Sequence, residues 1–352
     1  MEKKLRFAPA VVLLLILAGG DLRAYNPPAG GENLFAAGHP VFAMSAASSA
    51  GGAFYSPTAQ SVIINPALCA EIQRVSVDAG YTGFFPTRDA AFSLGSGLQL
   101  GAVIPSRWGV FTGALQGVFV PEEILPLGNS FTLRAAFARD VTDKLFLGAS
   151  VFGGALWAGG GADWALGLDA GFMYRLGTLG GLSDARVGVS LQNLGKTYTA
   201  SLPGINGGES DFFPGIVTLR GGFGALFLDM EAVDAGFSAE FSLPSFQNAV
   251  FDLGAQARFL DIITLSLGLQ VNLRESIAGS HSLMPSVGLS IKFRVNTGKS
   301  AFMSSKGWNA SDVTALASWR QVYDGVQQMS AGVTANFGLR DADGPVISLW
   351  ED

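Results

Sequence analysis

Cysteine, histidine and charge are all scarce in this chain of 352 residues. Its single cysteine, Cys69, excludes an intramolecular disulfide. Its two histidines, His39 and His281, leave little for a metal site, so we expect no bound metal. The formal net charge of −6 comes with no basic stripe that would neutralise phosphates. Nucleic acid is therefore not an expected partner.

The low charge content also narrows the class of protein. Only 14% of the residues are charged, whereas 49% are hydrophobic and 47 are glycine. Such a chain is too apolar for an ordinary soluble domain and too interrupted for a helical membrane protein. The stretch from Leu145 to Ala162 carries no charge and has the length of a membrane-spanning helix. Its glycines and its alternating apolar residues favour a strand instead.

A two-residue alternation between apolar and small or polar side chains runs through most of the chain. From Met329 to Arg340 the odd-numbered positions are apolar and the even-numbered ones are small or polar. Because side chains alternate across the two faces of a strand, this pattern gives one apolar surface and one polar surface. Equally clear alternation covers Thr264 to Arg274.

The same alternation predicts about fourteen strands, each of roughly the length that a tilted strand needs to cross a bilayer. Besides the two above, clear strands start near Leu145, Phe251, Val287 and Val313, and weaker ones near Val75, Phe92, Trp108, Phe131, Trp164, Arg186, Gly215 and Val233. The predicted fold is all-β, a transmembrane antiparallel β-barrel of about 14 strands with an N-terminal hatch in its lumen.

A soluble β-sandwich or secreted barrel is the alternative, because its strands also alternate. The charges here are too few to coat a soluble surface of this size. Where they occur, as at Arg258 and Arg274, they share a face with glycine and serine. That distribution is typical of a lumen and favours the membrane barrel.

The lengths of the connections predict an orientation. If the first strand runs outward, the long joins Pro121–Asn129, Leu194–Pro214 and Arg274–Met284 all fall on the outer face, as bacterial barrels prefer. The join Asn296–Ser311 is long as well, yet it falls on the periplasmic face. Either the strand count slips there or this join has structure of its own.

The two ends of the chain differ from the middle. Residues 1–24 are predicted to be a signal peptide cut near Ala24, with Lys3, Lys4 and Arg6 before the apolar run from Phe7 to Gly20. A membrane anchor is the alternative, but about 14 apolar residues are short of the roughly 20 that a spanning helix needs. The barrel is predicted over residues 74–340, with a C-terminal tail over 341–352. For the assembly machinery of the outer membrane, Phe337 or Trp350 is the candidate terminal aromatic.

Residues 25–73 are rich in alanine, glycine, serine and proline and lack a strand pattern. Such a segment is either a periplasmic leader or a plug inside the barrel. The lumen of a barrel widens with its strand number, so about fourteen strands need a filling if the barrel is not to leak. We therefore predict a hatch over residues 25–73.

The run Gly51-Gly52-Ala53-Phe54, followed by Asn65-Pro66-Ala67-Leu68 and Ala70, resembles the hatch of the FadL family of outer-membrane transporters for long-chain fatty acids and other hydrophobic compounds. A second set of residues resembles the ending of an uncharacterised spirochaete branch of that family: Lys306-Gly307-Trp308, Ser311-Asp312, Trp319, Gly332 and Gly338-Leu339-Arg340-Asp341.

The resemblance implies a bacterial outer-membrane channel that captures a hydrophobic small molecule at the outer face and releases it sideways through the barrel wall. It implies Asn65, Pro66 and Ala67 as the structural or gating element of the hatch. Phe54, Tyr55, Phe146 and Phe152 are candidate ligand contacts, with plain packing as the alternative role. The expected partners are outer-membrane lipid, the assembly machinery and the ligand, and the expected state is a monomer.

Catalysis finds little support in the sequence, and we expect neither an enzyme nor a cofactor. The cluster Gly221-Gly222-Phe223-Gly224 lacks the spacing of a phosphate loop, and a barrel strand explains it better. The pair Ser280-His281 has no acid or oxyanion donors that the sequence can place. Two alternatives to the transporter stay open: a structural or secretion-partner barrel, and a general diffusion porin.

Overall fold

A computed structural model describes residues 32, 40–43, 47–87, 94–121, 124, 128–159, 161–196, 198, 217–278, 283–296, 304–306, 308, 310–322 and 325–338. The predicted signal peptide, the tail and both histidines lie outside the described residues.

Fourteen strands in the described part of the chain form one closed antiparallel barrel. Each strand pairs with its neighbours in sequence, and the first pairs with the last along its whole length, from Val75 opposite Phe337 to Pro86 opposite Val326. The strands are β1 Val75–Pro86, β2 Gly95–Ser106, β3 Gly109–Phe119, β4 Asn129–Asp140, β5 Leu145–Ala158, β6 Gly161–Leu179, β7 Leu182–Lys196, β8 Thr218–Asp229, β9 Val233–Pro244, β10 Val250–Phe259, β11 Ile263–Asn272, β12 Leu283–Asn296, β13 Ala310–Val322 and β14 Val326–Phe337. The predicted antiparallel barrel and its strand number are confirmed, whereas the hatch over residues 25–73 stays a prediction.

In the part of the chain that the structure describes, the helices are few and short. They are α1 Pro40–Ala43, the 3₁₀ helices Ala59–Ile63 and Pro66–Glu71, and α2 Leu273–Ala278. Within the described residues, no helix has both the length and the apolar character that crossing a membrane requires.

The two faces of the wall have opposite character. Outward side chains such as Leu253, Leu267 and Met329 are apolar and about half exposed. Inward side chains next to them, such as Ser266 and Ser330, are polar and buried. An apolar exterior around a polar interior is the surface of a barrel that spans a bilayer.

The two ends of the barrel differ in their connections. We call the end where odd-numbered strands finish the loop end, and the opposite one the turn end. Loop-end joins include the long segment between Lys196 and Thr218, whereas turn-end joins such as Ser106 to Gly109 and Leu179 to Leu182 are tight. The join from Asn296 to Ala310 is the long one at the turn end, as the sequence indicated.

Three details of the predicted strands are wrong. β6 and β7 have 19 and 15 residues, longer than expected, and register shifts accommodate the excess. The strand predicted to reach Arg274 ends at Asn272, whose side-chain oxygen accepts from the amide of Glu275 at 3.3 Å and so starts α2. The last strand ends at Phe337, because Gly338 takes a φ of 84°.

Residues 47–73 lie inside the lumen, and we call them the hatch segment. They pack against one side of the wall: the 3₁₀ helix Pro66–Glu71 contacts β4, β5 and β6, and the helix Ala59–Ile63 contacts β1 to β3. A buried apolar cluster joins hatch residues such as Val62 and Leu68 to wall residues such as Val103, Phe146 and Met173.

Candidate functional site: the hatch segment and its cavities

The side chain of Asn65 makes three hydrogen bonds, one as an acceptor and two as a donor, and no other side chain of its size could make all three. Its Oδ1 accepts from the amide of Ala67 at 3.0 Å and caps the 3₁₀ helix Pro66–Glu71. Its Nδ2 donates to the carbonyls of Ser49 at 2.7 Å and Phe172 at 3.0 Å. The residue is fully buried. Asn65 therefore ties two parts of the hatch segment to β6.

Glycines in the wall make room for this element. A Cβ at Gly148 of β5 would collide with backbone atoms of Pro66 and Ala67, and one at Gly171 of β6 would collide with Oδ1 of Asn65. Pro66 occupies the first turn of its helix, where the missing amide hydrogen costs nothing. The backbone of the hatch segment thus lies directly on the backbone of the wall.

The Gly-Gly-Ala-Phe run forms a loop held by Arg186 of β7. Gly51 and Gly52 have φ angles of 90° and 84°, a conformation that favours glycine. Nη2 of Arg186 donates to the carbonyls of Gly52 at 2.9 Å and Ala53 at 2.8 Å, and its Nε donates to Ala50 at 3.3 Å. Asp184 forms an ion pair with the same guanidinium.

Other wall side chains hold the same segment from different strands. Oε2 of Glu240 in β9 accepts from the amide of Ser49 at 2.5 Å. Oε1 of Gln256 in β10 accepts from the amides of Ala53 at 3.2 Å and Phe54 at 3.3 Å. Single side chains of β9 and β10 thereby hold the hatch segment in addition to its packing against the other side of the wall.

Between the hatch segment and the strands β10 to β14 lies a cavity of about 580 Å³, which we call the turn-end chamber. Its hatch wall includes Phe54, Tyr55, Leu68 and Ile72. Its barrel wall is mostly polar, and the described residues on that wall are Arg175 of β6 together with Gln256, Arg258, Asp261, Ile262, Thr264, Ser266, Ser290, Lys292, Thr314, Leu316, Thr334 and Asn336. All of these lie in the turn-end half of their strands or in the turn after β10.

Cationic groups lie next to the aromatic rings of the chamber. The guanidinium carbon of Arg258 is 4.7 Å from the centroid of the Phe54 ring, and that of Arg175 is 5.6 Å from the Tyr55 ring. Burial raises the pKa of the Tyr55 hydroxyl well above its usual value. The hydroxyl therefore stays protonated and donates to the carbonyl of Leu68.

At the loop end, inward side chains form a second apolar group, which we call the loop-end cluster. Its members are Phe84, Val118, Val120, Ile124, Phe152, Leu156, Ala165, Tyr198, Met284, Val322 and Val326. They come from the loop-end halves of seven strands and from two of the joins there. An apolar mouth above an otherwise polar lumen suits an apolar solute rather than a hydrated one.

The structure separates the four candidate ligand contacts. Phe54 and Tyr55 lie together at the turn-end chamber. Phe146 is buried under the hatch segment, with the Arg175 guanidinium 5.5 Å from its ring. Phe152 belongs to the loop-end cluster. Neither ligand contact nor a gating role for Asn65, Pro66 and Ala67 follows from placement alone, so both stay predictions.

Sequence reasoning missed Arg186, Gln256 and most of the loop-end cluster. The arginine shares its face with glycine and serine, so alternation alone indicated only that it lies in the lumen. The cluster had a signal in the sequence, because Val118 and Met284 are apolar residues on otherwise polar faces.

No group of three or more His, Cys, Asp or Glu residues in the described part of the chain could hold a metal ion.

Comparisons with known proteins complete this description. No family model matches the chain, and no curated protein matches it. Solved structures similar to it include a TodX mutant described as a monoaromatic hydrocarbon channel, with 14% identity over 84% of this chain and 98% of that chain at a TM-score of 0.49.

A Pseudomonas aeruginosa FadL homologue is also similar, with 13% identity over 91% of this chain and 99% of that chain at a TM-score of 0.48. The Pseudomonas putida toluene transporter TodX shows 14% identity over 84% of this chain and 97% of that chain at a TM-score of 0.47. These structures are of the kind that the sequence resemblance predicts, while the spirochaete branch stays a prediction.

Proposed function

We propose that this protein is a bacterial outer-membrane channel for hydrophobic small molecules, with its loop end outside the cell. The observation that carries the proposal is a lumen crossed by a hatch segment that has apolar residues on both of its sides: the loop-end cluster beyond it and the turn-end chamber beneath it. A diffusion porin instead keeps a water-filled channel open through its lumen. An apolar mouth offers a hydrophobic molecule a route out of water at the cell surface.

Long-chain fatty acids are the proposed cargo, and sideways release through the wall is the proposed exit. The pairing of β6 and β7 is irregular at Asp169, where the register shifts and Asn193 of β7 takes a φ of 60°. Here the Asn193 amide donates to the side-chain carboxylate of Asp169 in β6 at 2.8 Å. The ring of Phe152 covers Gly167 close to this point. These features support an opening at the loop-end half of β6 and β7.

Binding of a dansyl-labelled undecanoic acid to the purified barrel tests the proposal. We expect saturable binding that hexadecanoic acid and toluene displace and that sucrose does not. A barrel without residues 25–73 should bind the probe differently and conduct ions in planar bilayers, because the hatch no longer fills the lumen. If the folded barrel binds no apolar probe, the structural or secretion-partner alternative takes the place of the transporter.

A further inference from the structure

We propose that the turn-end chamber is a second ligand site, separate from the loop-end cluster, for one amphipathic molecule with an apolar body and an anionic head. Nothing about capture at the outer face or release through the wall requires a site on this side of the hatch segment. The inference rests on the proposed function, which already counts the apolar residues of the hatch segment at this chamber, and it adds a ligand with an anionic head.

The size and lining of the chamber carry the argument. A volume of about 580 Å³ falls within the range of roughly 300–1,000 Å³ that small-molecule sites occupy. Its two walls have opposite character, because Phe54, Leu68 and Ile72 face the hydroxyls of Ser290 and Thr314 across the space. A wholly apolar molecule would leave the polar wall without partners, whereas an amphipathic one would satisfy both walls.

The charges of the chamber select the sign of the head group. Four cationic side chains line it, namely Arg74, Arg175, Arg258 and Lys292, against the two acids Glu71 and Asp261. Arg74, Arg175 and Arg258 already hold carboxylates, at 2.9, 2.5 and 2.5 Å respectively.

Lys292 is the best placed of the four to receive a new anion. Its ion pair with Asp261 spans 3.7 Å between side chains that are 40% and 66% exposed. Such a pair is weak and easily exchanged for a ligand carboxylate. Lys292 lies opposite Thr314 of β13, whose hydroxyl can donate to the same head group. The geometry thus assigns the head to Lys292 and Thr314, and the apolar body to the hatch wall.

Photo-crosslinking of the full-length purified barrel with hexadecanoic acid carrying a terminal diazirine tests this site. The expected adducts lie on the hatch wall, between Phe54 and Ile72. Ser290→Trp fills the chamber from β12 and should abolish those adducts. The matched control is Ala317→Trp on β13, whose side chain faces outward, and this variant should retain them.

A separate binding experiment tests the assignment of the anionic head to Lys292. Lys292→Gln should weaken binding of the acid about tenfold, as the loss of one hydrogen bond to a charged group predicts. Binding of the methyl ester of the same probe should not change. An equal effect on acid and ester would overturn the anionic head.

The outcomes separate this proposal from the proposed function. Adducts confined to the loop-end cluster, or adducts on the hatch wall that Ser290→Trp leaves unchanged, would overturn the chamber and leave the transporter standing. A folded barrel that gives no adduct anywhere would overturn both.

Discussion

Arg186 of β7 donates from one nitrogen to two successive hatch carbonyls, with Gly52 at 2.9 Å and Ala53 at 2.8 Å. The side chain is fully buried, so these carbonyls have little access to water as an alternative partner. The guanidinium also lies 5.4 Å from the Tyr55 ring. A wall residue therefore fixes the conformation of the loop that carries Phe54 and Tyr55, two of the four candidate ligand contacts.

Arg186→Met should loosen this loop while leaving the barrel closed. Each buried carbonyl left without a donor costs about 1–3 kcal/mol. We expect faster hydrogen exchange at the amides of Ala53 and Phe54, and raised ion conductance in planar bilayers. Arg186→Lys keeps the positive charge but lacks the guanidinium fork. Its exchange rates and its conductance should therefore lie between those of the native protein and those of Arg186→Met. Unchanged exchange in the methionine variant would show that the other wall contacts suffice.

The wall glycines should be intolerant of even one added methyl group. Gly148→Ala places a Cβ against the backbone of Pro66 and Ala67, and overpacking of this kind costs about 1–3 kcal/mol. The hydrogen bonds that pair the barrel strands are stronger than the contacts of the hatch segment. The hatch segment should therefore shift, and ion conductance should rise. The control is Gly113→Ala, where an added Cβ meets nothing within 4 Å. Equal behaviour of the two variants would contradict direct backbone packing.

Asn65→Asp should be more harmful than Asn65→Ala. The carboxylate keeps the cap on Ala67, a contact worth about 0.5–2 kcal/mol. It also places a negative charge against the carbonyls of Ser49 and Phe172. In the native protein, Nδ2 of Asn65 donates a hydrogen bond to each of these carbonyls.

Burial beside two carbonyls should raise the pKa of the new carboxyl in the folded state. Stability of the aspartate variant should therefore increase as the pH falls, because protonation removes the charge and restores one donor. Thermal unfolding of the hatch between pH 4 and pH 8 checks the sign. An unfolding temperature that does not change with pH would mean that the hatch opens at this point and lets water reach the carboxylate.

Alternation alone was enough to predict the barrel, because each strand of the wall separates an apolar bilayer from a polar lumen. The segment from Met329 shows why: Met329 and Val333 face outward, and Ser330 and Thr334 face inward. Local sequence failed where contacts between distant residues decide the outcome. The early end of β11 depends on Asn272 capping α2, and the extra length of β6 is absorbed by register shifts with β7.

The structure of the hatch segment was harder to predict from the sequence, because the contacts that order it come from residues far away in the chain. Asn65 could be recognised as an anchor by its resemblance to a family element, but its partner Phe172 is 107 residues away. The turn-end chamber had no sequence signal at all, because it is the space left when the hatch segment packs against one side of the lumen.

Glu32 should make the attachment of the N-terminal segment pH-dependent. Its carboxylate accepts from Nδ2 of Asn248 at 2.7 Å and from Nδ2 of Asn272 at 2.8 Å, while burial raises its pKa above the usual value. Arg274 and Glu275 are the charged groups that act on it, the arginine lowering and the acid raising its pKa. The folded state thus binds the proton more tightly than the unfolded one, so the attachment should weaken as the pH rises through the usual glutamate range toward the raised value.

Titration of the side-chain amide resonances of Asn248 and Asn272 in detergent micelles would follow this change. We expect both resonances to shift with a midpoint above the usual glutamate value, and Glu32→Gln to remove the shift because its neutral amide keeps an acceptor oxygen. Glu275→Gln is the matched control and should retain the titration with a slightly lower midpoint. Titration that disappears in Glu275→Gln and persists in Glu32→Gln would assign the transition to the loop-end helix α2 rather than to the N-terminal attachment.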